Sequence, residues 1–175
     1  MTNRLSTLIF ILSVVFAQSP DELLNSAKSN LDSGNLVKAE NEYKGAVEMD
    51  PTFAPAYAGL AIVAMRKGDL KQSNTYLKEA IDADPENKEF RQEFERLSEL
   101  NTLMGKGIRS MKNGDIDNAK KSLEESVRLN KKYYKAHKSL GDLFIDLEDF
   151  EKAISSFKKA VEVKSNYSSA YHGLG

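Results

Sequence analysis

Apolar and polar positions along this chain fall into a pattern that returns. The stretch NSAKSNLDSGNLVKAENEYKGAVEMDP, residues 25–51, is echoed 34 residues later by GLAIVAMRKGDLKQSNTYLKEAIDADP, residues 59–85. Ala39 aligns with Ser73, and the same column holds Ala119 and Ala153; seven residues on stand Ala46, Ala80, Ser126 and Ala160. Between each small pair lies a large residue: Tyr43, Leu77, Leu123 or Phe157. Steps of three and four residues trace one face of a helix. Upstream, the punctuation recurs as Gly34-Asn35, Gly68-Asp69, Gly114-Asp115 and Glu148-Asp149, each followed by Leu36, Leu70, Ile116 or Phe150.

This spacing predicts pairs of short helices. Helices of that length are marginal alone, so each pair must bury its apolar stripe against the next pair. Ala or Ser at the crossings lets backbones approach to about 8–10 Å, and the large residue fills the adjoining groove. Glycine accepts the positive φ that ends the first helix, and Asp or Asn caps the second. Pro51 and Pro85 then stop it.

These columns resemble the tetratricopeptide repeat. In the second copy Tyr57, Leu60, Ala61, Ala64, Ser73, Leu77, Ala80 and Pro85 occupy its pattern; in the fourth, His137, Leu140, Gly141, Phe144, Ala153, Phe157 and Ala160 do. The first copy, with Leu23, Ser26, Ala27, Asn30, Ala39, Tyr43, Ala46 and Pro51, is polar where its outer face meets no neighbour, as suits a capping repeat. The third fits least well: Leu103, Lys106, Gly107, Ser110, Ala119, Leu123 and Ser126 are followed by Lys131 where proline is expected. The resemblance implies an all-α fold, a right-handed α-solenoid of antiparallel helical hairpins, with repeats at about 20–53, 54–87, 100–133 and 134–167.

One interval breaks the period. Ser73 to Ala119 spans 46 residues instead of 34, so about twelve extra residues lie around 86–97, with no Gly or Pro among them. Phe90, Phe94, Leu97, Met104, Ile108 and Met111 advance on one helical face, which predicts one long central helix over 86–112 with 88–99 as a helical insertion. The alternative is a separate short helix ending near Leu100. Residues 168–175 start a further first helix, with Tyr171, Leu174 and Gly175 in the expected columns. We expect them to open a fifth repeat in a longer chain.

The first seventeen residues obey other rules. A lone Arg4, an uncharged run over 5–16, and Val15 and Ala17 before a cleavage point predict a signal peptide over 1–17. Twelve apolar residues rise only about 18 Å as helix against a hydrocarbon core of about 30 Å, so a membrane anchor is disfavoured. The expectation is export to the periplasm or outside a Gram-negative bacterium, with no membrane span in the mature chain, residues 18–175. A total of 41% hydrophobic and 29% charged residues indicates a folded helical domain, and the absence of cysteine excludes disulfides and thiolate metal sites. Without Arg4, 24 basic residues face 26 acidic ones, which leaves no field to recruit nucleic acid.

Candidate chemistry is sparse. His137 and His172 lie 35 residues apart and match no metal or catalytic spacing; His137 sits in a packing column. Glu124-Glu125 and the Asp146, Glu148, Asp149 group are read as solvated carboxylates. No catalytic residue, cofactor or metal is expected. Lys131, Lys132, Lys135 and Lys138 form a basic patch before the fourth repeat, read as a soluble loop with lysines favoured by a helix dipole, or as an attractor of an acidic partner.

The resemblance directs attention to the concave surface, formed by the first helix of each pair, which in such repeats receives a peptide or partner helix. Projected residue by residue, it comprises Leu24, Lys28, Leu31 and Asp32, then Ala58, Ile62, Met65 and Arg66. It continues with Met104, Ile108, Met111, Lys112, Lys135, Lys138, Asp142 and Asp146. The expected function is a non-enzymatic scaffold for a protein or peptide partner. The alternatives are the amino-terminal substrate-recruiting module of a longer exported enzyme, and an oligomerisation element using the apolar seam of the long helix. Weak self-association through an uncapped end is also expected. The lysine and asparagine clamp of chaperone-tail binders is not reproduced, since Leu24 and Gly59 stand in its places.

Overall fold

The structure is a computed structural model that describes residues 18–175, so the signal peptide expected at 1–17 lies outside the described residues. Among the described residues every regular element is a helix: α1 (Pro20–Asp32), α2 (Leu36–Met49), α3 (Ala54–Lys67), α4 (Leu70–Ala83), α5 (Lys88–Lys112), α6 (Ile116–Leu129), α7 (Tyr134–Asp146), α8 (Phe150–Val163) and α9 (Ser168–His172). The helices pack as successive pairs, α1 with α2, α3 with α4, α5 with α6 and α7 with α8, and each pair also touches the next. This is the expected all-α solenoid of helical hairpins.

The small columns are where the helices meet. Ala39, Ser73, Ala119 and Ala153, and likewise Ala46, Ala80, Ser126 and Ala160, are all fully buried. Ser73 keeps its hydroxyl satisfied there by donating to the Ala61 carbonyl at 2.7 Å, which removes the penalty of a buried polar group. Large partners lie against glycine: a Cβ on Gly59 would enter the Tyr43 ring, one on Gly107 would come within 2.7 Å of Leu123, and Phe157 sits between Gly141 and Gly173. Two core clusters result. One joins α1, α2 and α3 through Leu24, Tyr43 and Leu60, and the other runs from α3 to α9 through Leu77, Leu100, Leu143 and Phe157.

Helix ends follow from local chemistry. Ser19 and Glu22 form a reciprocal capping box at the start of α1. Asp69, Asp115 and Asp149 accept from the backbone N–H three residues on, whereas Asn35 makes no such bond. Asp50 and Asp84, which precede the prolines, leave the helical region at φ −137°. Asn130 (φ −144°) and Lys164 (φ −138°) do the same without proline. At Asn130 a side-chain turn substitutes, its Oδ1 accepting the Lys132 N–H at 3.0 Å, as Asp50 does for Thr52 at 2.9 Å.

All four inter-helix turns within pairs take a positive φ: Gly34 (78°), Gly68 (85°), Gly114 (73°) and Glu148 (56°). Only glycine adopts this without strain, so Glu148 carries a cost of about 1–2 kcal/mol. Glu148→Gly is therefore expected to raise stability by about 1 kcal/mol, less the added freedom of the unfolded chain. Thermal or urea unfolding would register it, and an unchanged midpoint would refute the strain.

Helix α5 is continuous over 25 residues, with Asn87 capping it through the Phe90 N–H at 3.3 Å. The separate short helix considered above is not formed, since nothing between Lys88 and Lys112 interrupts the hydrogen-bond ladder. It packs on α4, where Lys78 lies over the Phe94 ring, and on α6, where Gly107 meets Leu123, so its extra length carries the third and fourth pairs along its axis relative to the first two. A dozen extra helical residues correspond to about 18 Å of displacement.

A cleft between the long helix and the fourth repeat

That displacement brings the α3–α4 turn against the entry to α7. The Tyr134 hydroxyl donates to the Lys67 carbonyl at 2.8 Å, and the Lys135 ammonium to the Gly68 carbonyl at 2.9 Å. Asn130 donates its side-chain N–H to the Met65 sulfur at 3.0 Å. The last carbonyls of α3 have no intrahelical partner, and a cation beside them also complements the helix dipole. Tyr134 is fixed from behind by edge-on contact with Tyr167, ring centroids 4.6 Å apart, and by Lys164 over its ring at 4.5 Å. Burial pushes the Tyr133 hydroxyl far above its ordinary pKa, so Tyr133 stays a neutral donor toward the Gly68 carbonyl.

Beside this junction lies a cleft of about 580 Å³. Its floor is α5, with Met104, Gly105, Ile108 and Met111; one wall is α7, with Lys135, Lys138, Ser139 and Asp142. Gly68, Leu70 and Lys71 from the α3–α4 turn and the start of α4, with Asn101, Lys112, Tyr133 and Tyr167, complete the lining. Ile108 keeps 41% of its surface exposed there, an apolar side chain in a concave site. Lys138 pairs with Asp142 at 2.6 Å. The arrangement offers an apolar strip edged by ammonium groups, which is the chemistry of a binding surface.

Of the residues projected from the sequence, Met104, Ile108, Met111, Lys112, Lys135, Lys138 and Asp142 meet in this cleft. The others do not join them. Leu24 and Leu31 are buried in the amino-terminal core and present no surface, because the first helix packs its apolar stripe inward on α2. Lys28 and Asp32 are exposed on α1, Ala58 is half-buried, and Ile62 is exposed on α3. Arg66 reaches back to the Leu31 carbonyl at 2.6 Å, where it caps α1. Met65 is occupied by Asn130, and Asp146 is exposed at the end of α7, outside the cleft lining. His137 is buried, with its Nε2 2.8 Å from the Lys131 carbonyl, a packing position.

Lys71, Tyr133 and Tyr167 were not anticipated, because they belong to turns or second helices instead of the first helix of a pair. One signal was present. An aromatic stands immediately before the first helix at Phe53, Tyr133 and Tyr167, and each is the N-cap residue of its helix.

Comparison with known proteins agrees with this architecture. Residues 30–93 and 105–169 each match a family model described as tetratricopeptide repeat. A 55-residue stretch is 36% identical to cellulose synthase 1 operon protein C of Komagataeibacter xylinus, which covers 31% of this chain and 4% of that relative. Tetratricopeptide repeat protein 6 of Homo sapiens is 26% identical over 74% of this chain and 22% of its own length. The chain thus spans a small part of these relatives. The crystal structure of the P58(IPK) TPR domain superposes with a TM-score of 0.55 at 19% identity, over 89% of this chain and 54% of that one, a likeness of fold. Small residues at every crossing, a positive-φ turn in every pair and two family matches that together take in both halves of the array have one reading: the chain belongs to the tetratricopeptide repeat family.

Proposed function

We propose that the protein is a non-enzymatic, exported scaffold that receives a segment of a partner protein in the cleft between α5 and α7. The observation that carries this is the cleft itself: Ile108 lies exposed along its floor beside the half-buried Met111, while lysines edge it. Uncovered apolar side chains in a concave site bind by excluding water, and methionine adapts to varied partners. The family membership supports an interaction role, and the charge pattern of residues 1–17 supports export. No helix among the described residues is long and apolar enough to cross a membrane. Of the apolar seam on which the oligomerisation alternative draws, Leu97 and Met104 lie in the core, Phe90, Phe94 and Met111 are half-buried and Ile108 is exposed.

Ile108→Glu tests the assignment, because a half-exposed position tolerates charge without unfolding, whereas buried Met104 would not. Capture of partners from an exported fraction is expected to fall at least about tenfold while helicity by circular dichroism is retained. Lys158→Glu on the exposed face of α8 serves as the control. Equal capture by both variants would remove the cleft from consideration.

A further inference from the structure

Resting on that reading of the cleft, we propose that its occupant is an acidic peptide segment, with carboxylates flanking at least one large apolar side chain. The cleft lining holds four lysines, Lys71, Lys112, Lys135 and Lys138, against the single acid Asp142. Asp142 is already neutralised by Lys138, and Lys135 is committed to the Gly68 carbonyl. Lys71 and Lys112 have no ion-pair partner among the described residues. The whole chain has a formal charge of −1, so this positive edge is local and not a property of the average surface.

Lys71 is the informative member. It stands in the first turn of α4, where the helix dipole disfavours a cation, and the equivalent positions in the other second helices are Val37, Asp117 and Glu151. A lysine there does nothing for its own helix, but it adds positive charge to the cleft lining. Lys112, in the last turn of α5, one helical turn beyond the exposed Ile108, adds a second free ammonium group to the lining. The charge of the site is thus complementary to carboxylates flanking an apolar anchor seated on Ile108.

Fluorescence anisotropy with two end-blocked decapeptides provides the test. Both carry the same central Leu-Phe-Leu, flanked by glutamates in one and by lysines in the other. The glutamate peptide is expected to bind about tenfold more tightly at low salt, and the preference should shrink as salt screens exposed charges. The double variant Lys71→Glu, Lys112→Glu should abolish the preference, Lys71→Gln with Lys112→Gln should reduce it, and Lys158→Glu with Lys159→Glu on the exposed face of α8 should leave it intact. Equal binding of the two peptides, still weakened by Ile108→Glu, would overturn the acidic occupant and leave the docking cleft standing. Binding of neither peptide, or binding indifferent to Ile108→Glu, would overturn both.

Discussion

Truncating Phe157 to alanine is expected to cost about 3–5 kcal/mol, near the top of the range for aromatic core deletions. Phe157 is 2% exposed, and its ring lies between the backbones of Gly141 on α7 and Gly173 at the end of α9. Cost depends on how well a cavity can collapse. Here two of the walls are glycines, which have no side chain to swing into the space. Alpha-helical neighbours held by Ala153 and Ala160 at full burial cannot close the gap by sliding either. A domain with a total stability of about 5–15 kcal/mol would lose about a fifth of it or more. The short helix α9 should loosen first, since Ala170 and the Gly173 contact with this ring are what anchor it. Urea unfolding, with amide exchange over residues 168–175, reads both effects. A loss under about 1 kcal/mol would mean that the ring is not the wedge described.

The second large effect belongs to Gly68. Gly68→Ala and Gly34→Ala both place a Cβ on a backbone at positive φ, which costs about 1–2 kcal/mol. At Gly34 the new methyl meets open space. At Gly68 it meets the Tyr134 hydroxyl and lies 2.6 Å from the Lys135 Cε, in a junction where Tyr134 is wedged against Tyr167. Overpacking of this kind adds about 1–3 kcal/mol. Gly68→Ala should therefore be the more damaging by at least about 1 kcal/mol, and Tyr134→Phe should recover part of the difference in a double-mutant cycle. Costs equal within error, with no coupling to Tyr134, would show that the α3–α4 turn and the α7 entry do not bear on each other in solution.

Much of the molecule was legible without coordinates. The 34-residue recurrence, the small crossings at Ala39, Ser73, Ala119 and Ala153, and the unbroken run through α5 are local patterns, set by steric fit within one or two helical turns. The register of Glu148 with Gly34, Gly68 and Gly114 was legible too, whereas its positive φ emerged from the structure. The candidate surface was legible in part. Residues projected on the first helices of the third and fourth copies, Asp146 excepted, line one cleft, but Leu24 and Leu31 went to the core and Arg66 to a helix cap.

What the tertiary structure alone decided is the junction. Tyr134 and Lys135, at the start of α7, bond to Lys67 and Gly68, at the end of α3, across 67 residues. Periodic stacking specifies how each helix pair meets its neighbour, and an extra dozen residues within a rigid helix carry the following pairs along its axis by an amount that no repeat column encodes. The partners at the new meeting point, and with them Lys71 and Tyr167 in the cleft, follow from that displacement of one rigid stack on another.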